Sequence, residues 1–157
     1  MTTLVSAVRT LRPADVPACT RILAGLGDWF GLEAANAAYL RGLTELPSFV
    51  AVCDGEVVGF ASLRFHGEAS AELEVLAVAR DLHRQGVGNA LLAHLDAWLH
   101  SRGGVEWFHV KTRGPSAPDA GYERTRRFYL AQGFSPLFET DALWGPEDPA
   151  LVMVRRL

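Results

Sequence analysis

Two carboxylates, Glu72 and Glu74, stand two residues apart in the apolar run Ala71-Glu-Leu-Glu-Val-Leu-Ala-Val78. A strand has a period of two, so both acids share one face with Leu76 and Val78, while Leu73, Val75 and Ala77 take the other. A carboxylate on a sheet face can take a proton from an ammonium group. It can also be a plain surface acid. A few residues on comes His83-Arg-Gln-Gly-Val-Gly-Asn-Ala90. Gly86 and Gly88 at a helix start let the backbone approach a ligand closely. The unpaired N–H groups of that first turn then point outward, at the positive end of the helix dipole. Such a turn cradles an anion, and a pyrophosphate suits it. It is not a Walker A loop, because Gly88 is followed by Asn89-Ala90 rather than Lys-Ser/Thr. A dinucleotide fingerprint fails as well, since Leu91 occupies its last glycine position.

The elements that must hold these residues follow from periodicity and turn chemistry. A strand is predicted over Ser6 to Leu11 and a helix over Ala14 to Leu26, closed by Gly25 and Gly27. Glu33 to Leu46 again reads helical, with Pro47 just beyond. Phe49 to Cys53 and Val57 to Leu63 then form a hairpin about Asp54-Gly55. The third strand of this run, Ala71 to Val78, leads through a loop into the strongest helix, Gly86 to Arg102. Its apolar stripe is Val87, Leu91, Leu95, Trp98 and Leu99. Val105 to Thr112 is a strand and Ala120 to Gln132 a helix. Strands follow from Phe134 and over Leu151 to Arg155. The order β-α-α-β-β-β-α-β-α-β-β predicts a mixed α/β fold, with residues 1–157 read as a single domain.

The segment His83-Arg-Gln-Gly-Val-Gly, after a strand ending Leu76-Ala-Val78, resembles the Q/R-x-x-G-x-G/A acyl-CoA motif of the GNAT-type N-acetyltransferases. Tyr122-Glu-Arg-Thr-Arg-Arg-Phe-Tyr-Leu-Ala-Gln-Gly-Phe134 is similar to that superfamily's later N-x-x-A-x-x-F-Y-x-x-x-G-F block, with Tyr122 where Asn is frequent. His83 stands where Gln or Arg is usual. The element order matches over nearly the whole chain. The resemblance implies acetyl-CoA as cosubstrate and direct transfer of its acetyl group to an amine in a ternary complex. Backbone groups of Leu76, Ala77 and Val78 would pair with the pantetheine. Arg84, Gln85, Gly86, Val87, Gly88 and Asn89 would hold the pyrophosphate, His83 would join the cofactor contacts, and Tyr122 would face the CoA arm. Glu72 falls at the general-base position, with Glu74 as the alternative. Tyr129 would donate a proton to the departing thiolate, which takes Phe128, Ala131 and Phe134 as the packing set. The first helical region covers the acceptor side in this fold. Trp29, Phe30, Glu33, Asn36 and Tyr39 lie there, an aromatic wall with one carboxylate suited to a cationic amine, and the candidate acceptor contacts are Trp29, Phe30 and Glu33, with Glu74 of the strand.

Composition narrows the alternatives. The chain has 157 residues, 49% of them apolar, and a net charge of −3, a balance that argues against nucleic acid as partner. Lys111 is the single lysine. No stretch approaches the roughly 20 apolar residues of a membrane span, and the N-terminus has no basic segment before an apolar core. Cys19 and Cys53 lack metal-ligand spacing, so a reducing cytoplasm is expected. His66, His94, His100 and His109 show no metal-ligand pattern and receive no role, and no metal is expected. Cys53, predicted mid-strand, is not an acyl carrier. The expected acceptor is a small-molecule amine. A protein amine, or a non-catalytic acyl-CoA-binding module, remains the alternative, and the sequence leaves room for a homodimer.

Overall fold

The structure, a computed structural model, describes residues 5–157. Its elements are β1 (Ala7–Thr10), α1 (Val16–Ala24), α2 (Glu33–Glu45), β2 (Ser48–Cys53), β3 (Glu56–Phe65), β4 (Ser70–Val78), α3 (Val87–Arg102), β5 (Trp107–Arg113), α4 (Ala120–Ala131), β6 (Ser135–Thr140) and β7 (Ala150–Arg156). The expected order and mixed α/β class hold. Among the described residues seven strands form one sheet in the order β1-β2-β3-β4-β5-β7-β6. The predicted helix from Ala14 starts later than expected. A 3-10 turn, Pro13–Asp15, comes first, because the Asp15 carboxylate accepts the Arg12 N–H at 2.7 Å and Pro17 follows at the helix start.

The chain forms two compact units, residues 5–64 with 74–103 and residues 65–73 with 104–157. In the first, β2 and β3 make the expected hairpin. Asp54 and Gly55 carry φ of 49° and 81°, the left-handed pair that a two-residue turn requires. The core gathers Cys19, Ile22, Leu23, Leu26 and Leu43 from the helical region against Val50, Phe60, Val75 and Ala77 of the strands. Burial pushes the Cys19 thiol up to about 12, which leaves it an inert core group.

Helix α3 buries Val87, Leu91, Leu92, Leu95 and Leu99. Trp98 is only half-buried, resting edge-on against Phe49 at 5.5 Å. The helix comes close to the sheet because residue 59 is glycine. A Cβ there would sit 3.0 Å from Val87 Cγ1 and 3.1 Å from the Ala77 carbonyl.

In the second unit β4 begins parallel to β5, with Ser70 to Leu73 in register with Trp107 to Val110. Strand β7 is antiparallel to both β5 and β6. Phe108, Phe134, Tyr129 and Met153 are buried in this unit. The Arg155 guanidinium lies 4.8 Å from the Phe134 ring centroid.

Candidate active site

The parallel register of β4 and β5 sets Glu72 directly beside His109. Lys111 lies two residues further along β5, on the same face. The loop after β3 returns His66 to this point, its N–H bonded to the Ser70 carbonyl at 3.0 Å. Three side chains therefore converge on one carboxylate. His66 Nε2 lies 2.6 Å and His109 Nε2 3.8 Å from Glu72 Oε1, and Lys111 Nζ lies 3.0 Å from Oε2. Glu72 is 3% exposed, so without these partners it would be a desolvated, unsatisfied charge. Burial lowers the pKa of His109 from its ordinary value, while the Glu72 charge pulls it the other way. His66 is the exposed member of the group.

The sequence pattern gave His66 and His109 no role, and the structure brings both to Glu72. His66 comes from a loop and His109 from a neighbouring strand far along the chain, so their meeting with Glu72 is a product of strand pairing. The one trace of it in the sequence is the alternation of His109 and Lys111 within a strand. Glu74 is differently placed. Its two oxygens accept from Arg64 Nε and Nη2 at 3.0 and 3.1 Å, a bidentate pair that leaves it less free for an acceptor.

Beyond β4 the chain makes a 3-10 turn, Arg80–Leu82, and then passes through Arg84 at φ 64° and Gly86 at φ 86° before α3 begins. His83 and Gln85 act here as struts. His83 Nε2 meets the Val78 carbonyl at 2.8 Å and its ring packs edge-on to Trp29, while Gln85 Nε2 donates to the Asp81 carbonyl at 3.1 Å. Among the described residues no side-chain cap bond is made at the start of α3, and a Cβ at Gly86 would find open space. An anionic group such as a pyrophosphate fits this turn.

The proposed acceptor wall is mostly packing. Trp29 and Phe30 are half-buried on the core cluster, Trp29 beneath the Arg80 guanidinium at 5.3 Å and Phe30 edge-on to Tyr39. Glu33 is exposed at the first turn of α2. In α4, Asp119 caps the helix by accepting the Tyr122 N–H at 3.0 Å. The expected packing set there is corrected. Tyr129 is buried, ring against Phe134 at 5.6 Å, whereas Phe128 is half-buried and Ala131 exposed. Adjacent helix residues sit about 100° apart, and Phe134 and Phe108 select the Tyr129 side as the inner one.

A family model described as an acetyltransferase (GNAT) domain matches residues 45–136, which includes β4, the glycine turn and α4. An uncharacterised N-acetyltransferase of Chlorobaculum tepidum is 28% identical over 126 residues, 80% of each chain. Among solved structures, the ribosomal-protein-S18-alanine N-acetyltransferase of Escherichia coli superposes with a TM-score of 0.76 at 23% identity, covering 96% of this chain and 92% of that one. An aminoglycoside 6'-N-acetyltransferase complexed with coenzyme A gives the same TM-score of 0.76 at 17% identity, with 96% of each chain covered. On the family match over more than half its length, this chain belongs to the GNAT acetyltransferases and is an N-acetyltransferase, transferring an acetyl group to an amine.

Proposed function

We propose that the enzyme moves the acetyl group of acetyl-CoA directly to a small-molecule amine, with Glu72 as the ultimate proton acceptor. The observation that carries this reading is the buried Glu72 carboxylate on β4, the strand that runs on into the uncapped glycine turn of α3. An aliphatic amine has a pKa of about 10, so at neutral pH a base is needed to free its lone pair. The proton passes to the Glu72 carboxylate by way of the exposed His66 ring. The amine then forms its bond to the thioester carbonyl carbon, the carbon–sulfur bond breaks and the sulfur leaves as thiolate, and the nitrogen sheds its second proton, which ends on that sulfur. Tyr129 supplies the hydroxyl that hydrogen-bonds or protonates that sulfur.

The cosubstrate is held by backbone rather than by side chains. Leu76 to Val78 offer the edge along which the pantetheine lies. The first turn of α3, from Gly86 to Asn89, takes the pyrophosphate, with Arg84 beside it. His83 and Gln85 keep that turn in shape, and Tyr122 lines the CoA arm. Trp29, Phe30 and Glu33 border the acceptor side.

A coupled thiol-release assay across an amine panel that includes peptide N-termini tests the reading. Turnover with small amines is expected. Turnover only with peptides would make the acceptor a protein, and tight acetyl-CoA binding with no turnover on any amine would make the chain a binding module.

A further inference from the structure

Two imidazoles and one carboxylate meet at a single point in the second unit. The donor atoms of His66, Glu72 and His109 all lie within 4.8 Å of one another. Their common member is Glu72 Oε1, 2.6 Å from His66 Nε2 and 3.8 Å from His109 Nε2. Ligands about 2.0–2.1 Å from a metal ion stand about 3 Å from each other, so side-chain shifts of about an ångström bring the three into coordination. The other oxygen, Oε2, is held by Lys111 at 3.0 Å. That bond fixes the carboxylate and limits it to a single ligating oxygen. The two rings lie 5.4 Å apart between centroids, and His66 is exposed, so an ion can enter from solvent and keep water on its open positions.

We propose that His66, Glu72 and His109 form a binding site for a zinc-type divalent cation, and that its occupation switches off acetyl transfer. Two nitrogens and one oxygen select Zn²⁺, Co²⁺ or Ni²⁺ over Mg²⁺ and Ca²⁺, which require oxygen ligands. The Lys111 ammonium opposes the ion's charge and keeps binding reversible, as suits an inhibitor rather than a resident cofactor. The inhibitory half rests on the reading of Glu72 as proton acceptor, because a bound ion occupies the same lone pair. The binding half does not.

The test is titration of the tag-free full chain with Co²⁺, followed by visible absorption, and with Zn²⁺ by calorimetry. One ion per chain is expected, with a Kd of about 1–100 µM. His66→Ala and His109→Ala each weaken it by about tenfold or more, and His94→Ala leaves it unchanged. Circular dichroism checks that each variant is folded, and His66, on a loop, is the safer of the two. No saturable binding, or binding that both substitutions leave intact, overturns the site while leaving the acetyl-transfer reading untouched. Zn²⁺ should lower turnover in the parent at concentrations that leave His66→Ala at its own metal-free rate. Stoichiometric binding without that loss overturns the inhibitory half and removes Glu72 from the proton path.

Discussion

His66 Nε2 and Glu72 Oε1 lie 2.6 Å apart, which joins an exposed ring to a carboxylate that is itself 3% exposed. The carboxylate therefore reaches solvent through an imidazole. Its other oxygen is tied to Lys111, so the group is held in one orientation from both sides.

Glu72→Gln keeps the shape of the side chain and removes proton acceptance. Turnover should fall by roughly 10²-fold or more, with acetyl-CoA affinity little changed. Glu74→Gln breaks only the pair with Arg64 and should change turnover by no more than a few-fold. Steady-state rates on the best amine, with acetyl-CoA titrated separately, decide this. A full rate in Glu72→Gln beside a large loss in Glu74→Gln would move the role two residues along.

The glycine turn is read as a backbone cradle, so a side chain inside it should act on the cosubstrate. Gly88→Val is expected to weaken acetyl-CoA binding by tenfold or more while the chain still folds. Arg127→Ala should bind as the parent does, because Arg127 is exposed and paired to Glu123 one turn away at 2.7 Å. Calorimetric titration of acetyl-CoA measures both. Equal affinity in Gly88→Val and the parent would remove the cradle assignment.

Tyr129→Phe deletes one hydroxyl from a ring packed on Phe128 and Phe134. Packing is conserved, so the melting temperature and acetyl-CoA affinity should stay near the parent's. Turnover should drop by roughly 10- to 10³-fold. A variant that melts early yet keeps its full rate per folded molecule would make Tyr129 a core residue alone.

Gly59 is where α3 meets the strand beneath it. Gly59→Ala would press a methyl group between the Ala77 carbonyl, Val87 Cγ1 and Leu91 Cδ1, at 3.1, 3.0 and 3.2 Å. Overpacking of this kind costs about 1–3 kcal/mol, and thermal unfolding should show the fall. An unchanged midpoint would mean that the helix shifts freely at this contact.

Asp15 accepts from both terminal guanidinium nitrogens of Arg9, Nη1 and Nη2, at 2.7 and 3.0 Å, and from the Arg12 N–H. The hydrogen bonds from Arg9 hold its carboxyl below the usual carboxylate range. A group whose folded pKa is depressed stabilises the fold above its unfolded pKa and loses that contribution as pH falls through the folded value. Asp15→Asn should therefore be less stable than the parent by about 1–3 kcal/mol at pH 7, with the gap closing below about pH 4. Denaturant unfolding at several pH values tests this, and a gap that stays constant as the pH falls would assign the loss to packing.

The elements were legible because their signals are local. Hydrophobic period, Asp54-Gly55 at the hairpin and the glycines about α3 each report on neighbouring residues, and the structure places strands and helices within a few residues of those expectations. The alternation that sets Glu72 and Glu74 on one face of β4 is equally local. What separates the two acids is not. Glu72 and Glu74 look alike in the sequence, yet strand pairing sets one beside His109 and Lys111 and leaves the other to Arg64. The same holds in α4, where Phe128 and Tyr129 are neighbouring aromatic residues and the position of Phe134 selects the ring that turns inward. Periodicity determines that a residue lies on a face. Register between strands far apart in the chain, and the rotation of a helix on its sheet, decide what that face meets, because those are fixed only when the whole core packs.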